Sequence, residues 1–272
     1  MSVNCNICGS ESKKIFDGLV LKKYKVTYYK CTSCKFIQTE NPYWLAESYE
    51  SAITELDIGL VSRNLLFAEV FESLLSKKVL PSDALYLDYA GGYGLFVRLM
   101  RDRGVDFYRQ DIYCENIFAK HFDVLDLPSN QKFKAITAFE VFEHLVNPIE
   151  ELKKLLDLSD VIMFSTLLQP DDQVSISNWW YFVPETGQHV SLYSFNSLLY
   201  LAESQGLHFY SDRKNLHIFS KHQFEIDPFF KEEESFILNF LKRIRNKLFP
   251  KNTDNQRESL LQKDFEYIKG MS

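Results

Sequence analysis

Two cysteine pairs, Cys5 with Cys8 and Cys31 with Cys34, are the side chains most plainly spaced for chemistry. Each pair is a C-x-x-C knuckle, and four thiolates so arranged suit a closed tetrahedral zinc site with no open position for catalysis. Gly9 follows the first pair and permits the tight turn that aims backbone amides at sulfur. A metal held this way is structural and contributes on the order of 10 kcal/mol to ordering a module too small to fold by burial alone. Cys114 stands apart and reads as a buried hydrophobe. A second group sets carboxylates around glycines. Asp88 precedes Gly91, Gly92 and Gly94, small residues that let backbone and ligand approach closely. A carboxylate there repels a pyrophosphate and attracts a cation, so a sulfonium or ammonium group fits better than a dinucleotide. Asp111 can accept both hydroxyls of an adenosine ribose, and Asp123 with the Val124 amide can receive the adenine. His189, in a Gly-Gln-His turn, is a candidate proton acceptor, because an unperturbed imidazole titrates near neutrality.

Those side chains need elements to hold them. Residues 84–89 form a short apolar run suited to a buried parallel strand, and Leu95 to Arg101 reads as the first turns of an amphipathic helix. Further strands are expected at 105–110, 134–139 and 161–165, with a helix from Pro148 through Leu156. This alternation implies a doubly wound sheet, whose ligands collect at the carboxyl ends of the strands. Asp88, Asp111, Glu140 and Ser165 should stand along that rim. A helix or two is expected between Tyr49 and Leu75, covering the pocket. Residues 169–191 lack clear periodicity and follow the fifth strand, well placed to roof a substrate site with Trp179, Trp180 and Tyr181. A helix from Ser197 to Gly206 and two more strands complete the sheet. Beyond Asp227 the pattern turns helical, with a basic face over 236–248 and a final helix after a polar break at 250–257.

The order of these features resembles the class I S-adenosylmethionine-dependent methyltransferases, in which a D-x-G-x-G-x-G turn precedes further acids and an E-V-x-E-H-L stretch. Here the turn runs from Asp88 to Gly94, with Ala90 at the position of the first glycine, and the second stretch from Glu140 to Leu145. The resemblance covers roughly residues 80 to 220 at the level of fold. It implies a Rossmann-like, doubly wound, seven-stranded α/β sheet with an N-terminal zinc ribbon and C-terminal helices. The expected divisions are 1–42 for the ribbon, 43–80 for covering helices, 81–222 for the methyltransferase domain and 223–272 for the helical extension. It further implies that S-adenosylmethionine is held by Asp88, Gly91, Gly92, Gly94, Asp111, Ile112, Asp123, Val124, Phe139 and Glu140. His189 or His144 would then deprotonate the acceptor. Together, the four-Cys ribbon and the Trp-Tyr to Gly-Gln-His insertion resemble zinc-containing methyltransferases of sugar and secondary-metabolite pathways. A small oxygen or carbon nucleophile, such as a sugar or sugar nucleotide, is therefore the expected acceptor. The E-x-x-E-H spacing of Glu140, Glu143 and His144 is also similar to that of ubiquinone-biosynthesis O-methyltransferases, where these residue types hold a divalent ion. The preferred expectation is that Glu140 shapes the cofactor pocket and His144 orients its neighbours.

Composition sets the bounds. With 272 residues, 46% hydrophobic and 25% charged, the chain can bury one large core with a small appended module. A formal net charge of −6 argues against dependence on phosphate backbones, and so against a zinc-ribbon RNA methyltransferase. A non-catalytic adaptor retaining the fold is the other alternative. Asp88, Gly92, Gly94 and Asp111 are all present, which counts against decay of the site. No apolar run is long enough to span a membrane, and the first residues carry no secretory pattern, so a cytoplasmic location with reduced thiols is expected.

Overall fold

A computed structural model describes residues 2–49, 57–170, 176–230 and 258–269. The expected basic helix over 236–248 and the polar break at 250–257 lie outside the described residues. The chain begins with four antiparallel strands, β1 (Ser2–Asn4), β2 (Glu11–Val20), β3 (Tyr24–Cys31) and β4 (Ile37–Thr39). The long β2–β3 hairpin brings the second knuckle back beside the first, since Ser12 pairs with Cys31. A short helix α1 (Leu45–Ser48) follows, then α2 (Leu60–Ser76). Helix α2 buries Phe67, Ala68, Phe71, Leu74 and Leu75. Their three- and four-residue spacing makes one apolar stripe, and Phe71 meets the rings of Tyr86, Phe96 and Phe107.

The second sheet contains β5 (Leu85–Tyr89), followed by α3 (Leu95–Asp102), β6 (Asp106–Gln110), β7 (Ala135–Ala138), α4 (Pro148–Leu156) and β8 (Val161–Ser165). After β8 come the short β9 (Ser191–Leu192), α5 (Phe195–Ser204), β10 (His208–Ser211) and β11 (Leu216–Ser220). Strand order is β10-β11-β8-β7-β5-β6. The pairs β5–β6, β5–β7 and β7–β8 are parallel, and β11 is antiparallel to both neighbours. Every residue of β7, β8 and β11 is buried, as expected of strands covered on both faces. Because β5 has β6 on one side and β7 on the other, the strand order reverses at its carboxyl end, and a crevice opens there.

One expectation is corrected. The sheet has six strands among the described residues, not seven. Beyond β6 an edge strand is reduced to a single parallel bridge between Arg109 and Asp123. The segment between them is spent on loop contacts: the Asp111 carboxylate draws in the Tyr113 and Cys114 amides, and Asn116 turns the chain at Ala119. Of the helical stretch expected between Tyr49 and Leu75, α2 supplies the part from Leu60, and 50–56 lie outside the described residues. A final helix, α6 (Leu261–Lys269), docks where Asp264 meets Arg101 in a buried two-pronged ion pair at 2.8 and 2.9 Å. No helix among the described residues is long and apolar enough to cross a membrane.

Candidate active site

The turn after β5 is shaped by backbone that side chains would block. Gly94, which caps α3, has φ +85°, and a Cβ there would lie 2.6 Å from Asn116 Oδ1. At Gly91 a Cβ would lie 2.5 Å from Asp88 Oδ2. Ala90 holds φ +53°, a left-handed conformation that costs an L-residue about 1–2 kcal/mol. The tight backbone thus survives the replacement of a glycine. Asp88 is buried, and its Oδ1 accepts from Thr137 Oγ1 at 2.6 Å. Burial pushes its carboxyl up to about 7, against the opposing Thr137 hydrogen bond.

Asp111 binds the two loops together. Its oxygens accept from the amides of Gly92 (2.9 Å), Tyr113 (2.7 Å) and Cys114 (2.8 Å). Oδ1 takes two of these bonds and Oδ2 one, so the remaining lone-pair capacity toward a ligand hydroxyl lies on Oδ2. Asp123 is placed differently from the expectation. Its carboxylate is occupied by Arg109 Nε at 2.7 Å and Asn116 Nδ2 at 2.9 Å. Neither Asp123 nor Val124 lines the cavity. The reason is Arg109, a buried guanidinium that also donates to the Gly92 and Cys114 carbonyls and needs a counter-charge beside it. Ile112, Tyr113 and Phe118 line the mouth instead, all well exposed, and Tyr49 stacks on Tyr113 with ring centroids 4.8 Å apart.

The turn opens into a cavity of about 800 Å³ whose far wall carries Glu140, Glu143, His144, Trp180 and His189. Glu140 sits at φ +55°, its amide donating to Ser165 Oγ (2.7 Å) and its Oε1 accepting from the same hydroxyl (2.6 Å). Arg63 Nε lies 3.7 Å from the other Glu140 oxygen, and Arg63 is also paired to Asp57 at 2.5 Å. Phe139 turns back onto Phe67, with ring centroids 4.3 Å apart, and supports the pocket floor. Val183, at φ +34°, is a third strained residue of this cavity, with Ala90 and Glu140. Such strain persists only where surrounding packing over-determines it, which is common at working sites.

Glu143 is fully buried, and neither of its oxygens has a hydrogen-bond partner. Burial foremost, then the nearby Glu140 charge, pushes its carboxyl up to about 8. Tyr181 Oη and Thr166 Oγ1, buried and likewise without a well-aligned hydrogen bond, are polar neighbours of that carboxyl and oppose the rise. His144 and His189 face each other at 5.2 Å between ring centroids. Burial lowers His144 to about 3 and His189 to about 4, which keeps both imidazoles neutral. His189 Nδ1 lies 2.6 Å from the Tyr181 carbonyl, which selects the tautomer with hydrogen on Nδ1 and leaves Nε2 free to accept. Ligand atoms of Glu143, His144 and His189 lie within 4.8 Å of one another. The structure therefore brings both candidate histidines to one wall, opposite the glycine turn. Sequence reading gave no place to Arg63, Arg109 or Thr137, because their partners come from other segments.

The four cysteines meet as expected, with sulfurs all within 4.8 Å, Cys5 to Cys34 at 3.6 Å and Cys8 to Cys31 at 3.4 Å. A tetrahedral zinc at the usual Zn–S length would space its sulfurs about 3.8 Å apart. The Ile7 amide donates to Cys5 Sγ at 3.4 Å, the kind of bond that supports a thiolate. The thiols thus form a set that could hold zinc.

The family described as "Methyltransferase domain" matches residues 62–211. Among curated proteins none matches. Among solved structures, the plantazolicin methyltransferase BpumL in complex with a triazolic desmethylPZN analog and SAH is similar at 17% identity. That likeness covers 66% of this chain and 96% of that one, with a TM-score of 0.46. OxaC is similar at 14% identity, covering 57% of this chain and 47% of its own, with a TM-score of 0.42. An O-methyltransferase family protein from Burkholderia thailandensis is similar at 15% identity, covering 59% and 60%, also with a TM-score of 0.42. With the family match spanning more than half of its residues, the chain belongs to the methyltransferase-domain family.

Proposed function

We propose that this chain transfers the methyl group of S-adenosylmethionine to a neutral small-molecule acceptor bearing a ring, such as a sugar. The observation that carries the reading is one cavity with two unlike walls: a carboxylate-flanked glycine turn faces a histidine pair beside a buried carboxyl. The first wall fits the cofactor. Gly91 and Gly92 line the cavity beside Asp88 and Asp111, and those carboxylates suit a cationic, hydroxyl-bearing ligand. When bound, the cofactor supplies an electrophilic methyl on a sulfonium. Asp88 and backbone at Gly92 and Gly94 would hold its amino-acid end, Asp111 its ribose, and Ile112 and Tyr113 would flank the base. His189 Nε2, with His144 beside it, accepts the acceptor's proton. Holding the two reactants in line accounts for much of the remaining rate.

Charge narrows the acceptor. Asp57, Asp88, Asp111, Glu140, Glu143, Glu150 and Glu151 line the cavity. Arg63 and Lys154, its lysine and arginine among the described residues, are already paired with Asp57 and Glu151. A diphosphate would find no uncommitted lysine or arginine among the described lining residues, which favours a sugar over a sugar nucleotide and speaks against RNA. Trp180, 75% exposed at the cavity's edge, offers a face for ring stacking. The test is methyl transfer from labelled S-adenosylmethionine to matched sugars with and without a diphosphate. Labelling of the nucleotide alone would refute the charge argument, and labelling of neither class would refute the acceptor assignment.

A second reading has one observation in its favour. The orphaned Glu143 oxygens beside His144 and His189 could take a divalent ion, with His189 Nε2 as ligand instead of base. Enzyme stripped of every metal but ribbon zinc would then lose transfer, and full retention would eliminate the ion.

A further inference from the structure

The ribbon and the acceptor-side wall are built into each other. Strand β9 comes from the roof segment yet belongs to the ribbon sheet, with Ile37 opposite Leu192 and Gln38 opposite Ser191. The Thr39 amide donates to the Val190 carbonyl at 3.2 Å, and the Val190 amide donates to the Glu143 carbonyl at 3.0 Å. The residue next to His189 is thus tied on one side to the ribbon and on the other to Glu143. Four more ties hold the turn before it, from the ribbon at Val20 and Leu21 and from the α1 segment just after it at Trp44 and Ser48. The Leu21 amide donates to Pro184 O (3.0 Å), Trp44 Nε1 to Gly187 O (2.9 Å) and Gln188 Nε2 to Ser48 O (2.9 Å). The fourth is steric: a Cβ on Gly187 would lie 2.5 Å from Ser48 Oγ and 3.0 Å from Val20 Cγ1, so backbone is pressed onto ribbon.

The packing agrees. Ribbon residues Val20, Tyr28 and Ile37 share one buried cluster with Tyr181, Phe182 and Val190 of the roof. The cysteine knot reaches the same wall by a second route. Ser194 Oγ donates to the Cys34 carbonyl at 2.8 Å, and Phe36 packs on Tyr193, whose hydroxyl donates to the Phe142 carbonyl at 2.9 Å, next to Glu143. Asn6 Nδ2 donates to the Val146 carbonyl at 3.0 Å. The cofactor turn is held otherwise. Its polar contacts described above come from Asp88, Arg109, Asp111, Asn116 and Thr137, none of them a ribbon residue. The knot reaches this side by apolar packing, since Cys5, Cys31, Cys34 and Phe36 share a buried cluster with Leu87 of β5 and Ile136 of β7.

We infer that the four-thiolate knot is the foundation of the acceptor-side wall: metal in the ribbon sets where Glu143 and His189 stand, through hydrogen bonds and strand pairing, and bears less on the cofactor pocket, which it meets through apolar packing. The roles of those two residues rest on the proposed function; the mechanical link does not. Only a chain that keeps its ribbon closed keeps both halves of the cavity in register. Loss of the metal, by chelation or thiol oxidation, would then yield a protein that still takes the cofactor but presents a disordered acceptor wall.

The experiment pairs amide hydrogen exchange with calorimetry, using S-adenosylhomocysteine as the probe, on the full chain in zinc-replete and zinc-stripped forms. Expected on stripping is exchange about tenfold or more faster over 183–192 and 142–146, with probe affinity held within about threefold. Unchanged exchange there would overturn the inference, as would loss of wall and probe binding together. Trp44→Phe keeps the knot and the ring but removes the donor to Gly187. With zinc content and probe affinity unchanged it should speed exchange over 186–190, and a silent variant would count against the link even if the stripped protein unfolds. If the zinc-replete protein fails to bind the probe at all, the cofactor reading falls, while the exchange comparison still decides the link.

Discussion

The two walls of the cavity are finished to different degrees. On the cofactor side the principal polar groups have partners: Asp88 meets Thr137, Asp111 takes three amides, and Arg109 is neutralised by Asp123. On the acceptor side Glu143, Thr166 and Tyr181 are buried without partners, and both imidazoles are forced neutral. A satisfied wall is rigid and ready for one ligand, whereas orphaned groups carry a folding cost that only a function there would retain. The lesson is that the cofactor half resembles a frame and the acceptor half a site held open at the expense of stability.

The sharpest break of this contrast is Gly91→Ala. Its new Cβ would lie 2.5 Å from Asp88 Oδ2 and displace the carboxylate, so S-adenosylmethionine affinity should fall about 100-fold, or about 2.7 kcal/mol by calorimetry. Next is Glu143→Leu, which replaces an unpartnered buried carboxyl by an apolar side chain. Urea unfolding should show a gain of about 1–3 kcal/mol while methyl transfer disappears and cofactor affinity is kept. Destabilisation instead would mean that Glu143 has a structural partner and that the two walls are alike.

A third outcome concerns pH. Asp88 in the ligand-free fold is raised to about 7 from an ordinary 3.8, so the native state holds a proton that the unfolded chain has released. Stability of the ligand-free protein should therefore decline as pH rises from about 4 to about 7, because ionisation is disfavoured in the fold. Binding a cation favours the ionised form, so cofactor affinity should rise by about tenfold between pH 6 and 8. Asp88→Asn should flatten that profile. The smallest effect is expected from Trp180→Ala, because its ring is mostly exposed. Stability should move by less than about 0.5 kcal/mol and cofactor affinity not at all, with the loss confined to the acceptor's KM.

What was legible in the sequence was local. The cysteine spacing, the glycine turn and the helix starting at Pro148 each declare themselves within a few residues, and all stand where expected. The antiparallel direction of the last strand was implied by the likeness to the methyltransferases and not by its own residues. Non-local charge was not legible. Asp123 looked like a ligand contact because nothing nearby in sequence showed that Arg109 would claim it. The seventh strand failed for a related reason, since Asp111 and Asn116 spend the intervening segment on loop contacts. Least visible was β9, two residues long with no pattern of its own, whose pairing to β4 turns the ribbon from an appendage into a support for the segment that carries His189. The isolation of Glu143 could not be read either, because a missing partner is a property of the packed interior.

The most direct measurement is a calorimetric titration of S-adenosylmethionine into the zinc-replete chain and its Gly91→Ala variant at pH 8. Saturable uptake of one molecule per chain, abolished or weakened about 100-fold by the added methyl group, is the expected result. No uptake by the unaltered chain, or equal uptake by both proteins, would contradict the assignment of the glycine turn as the cofactor site.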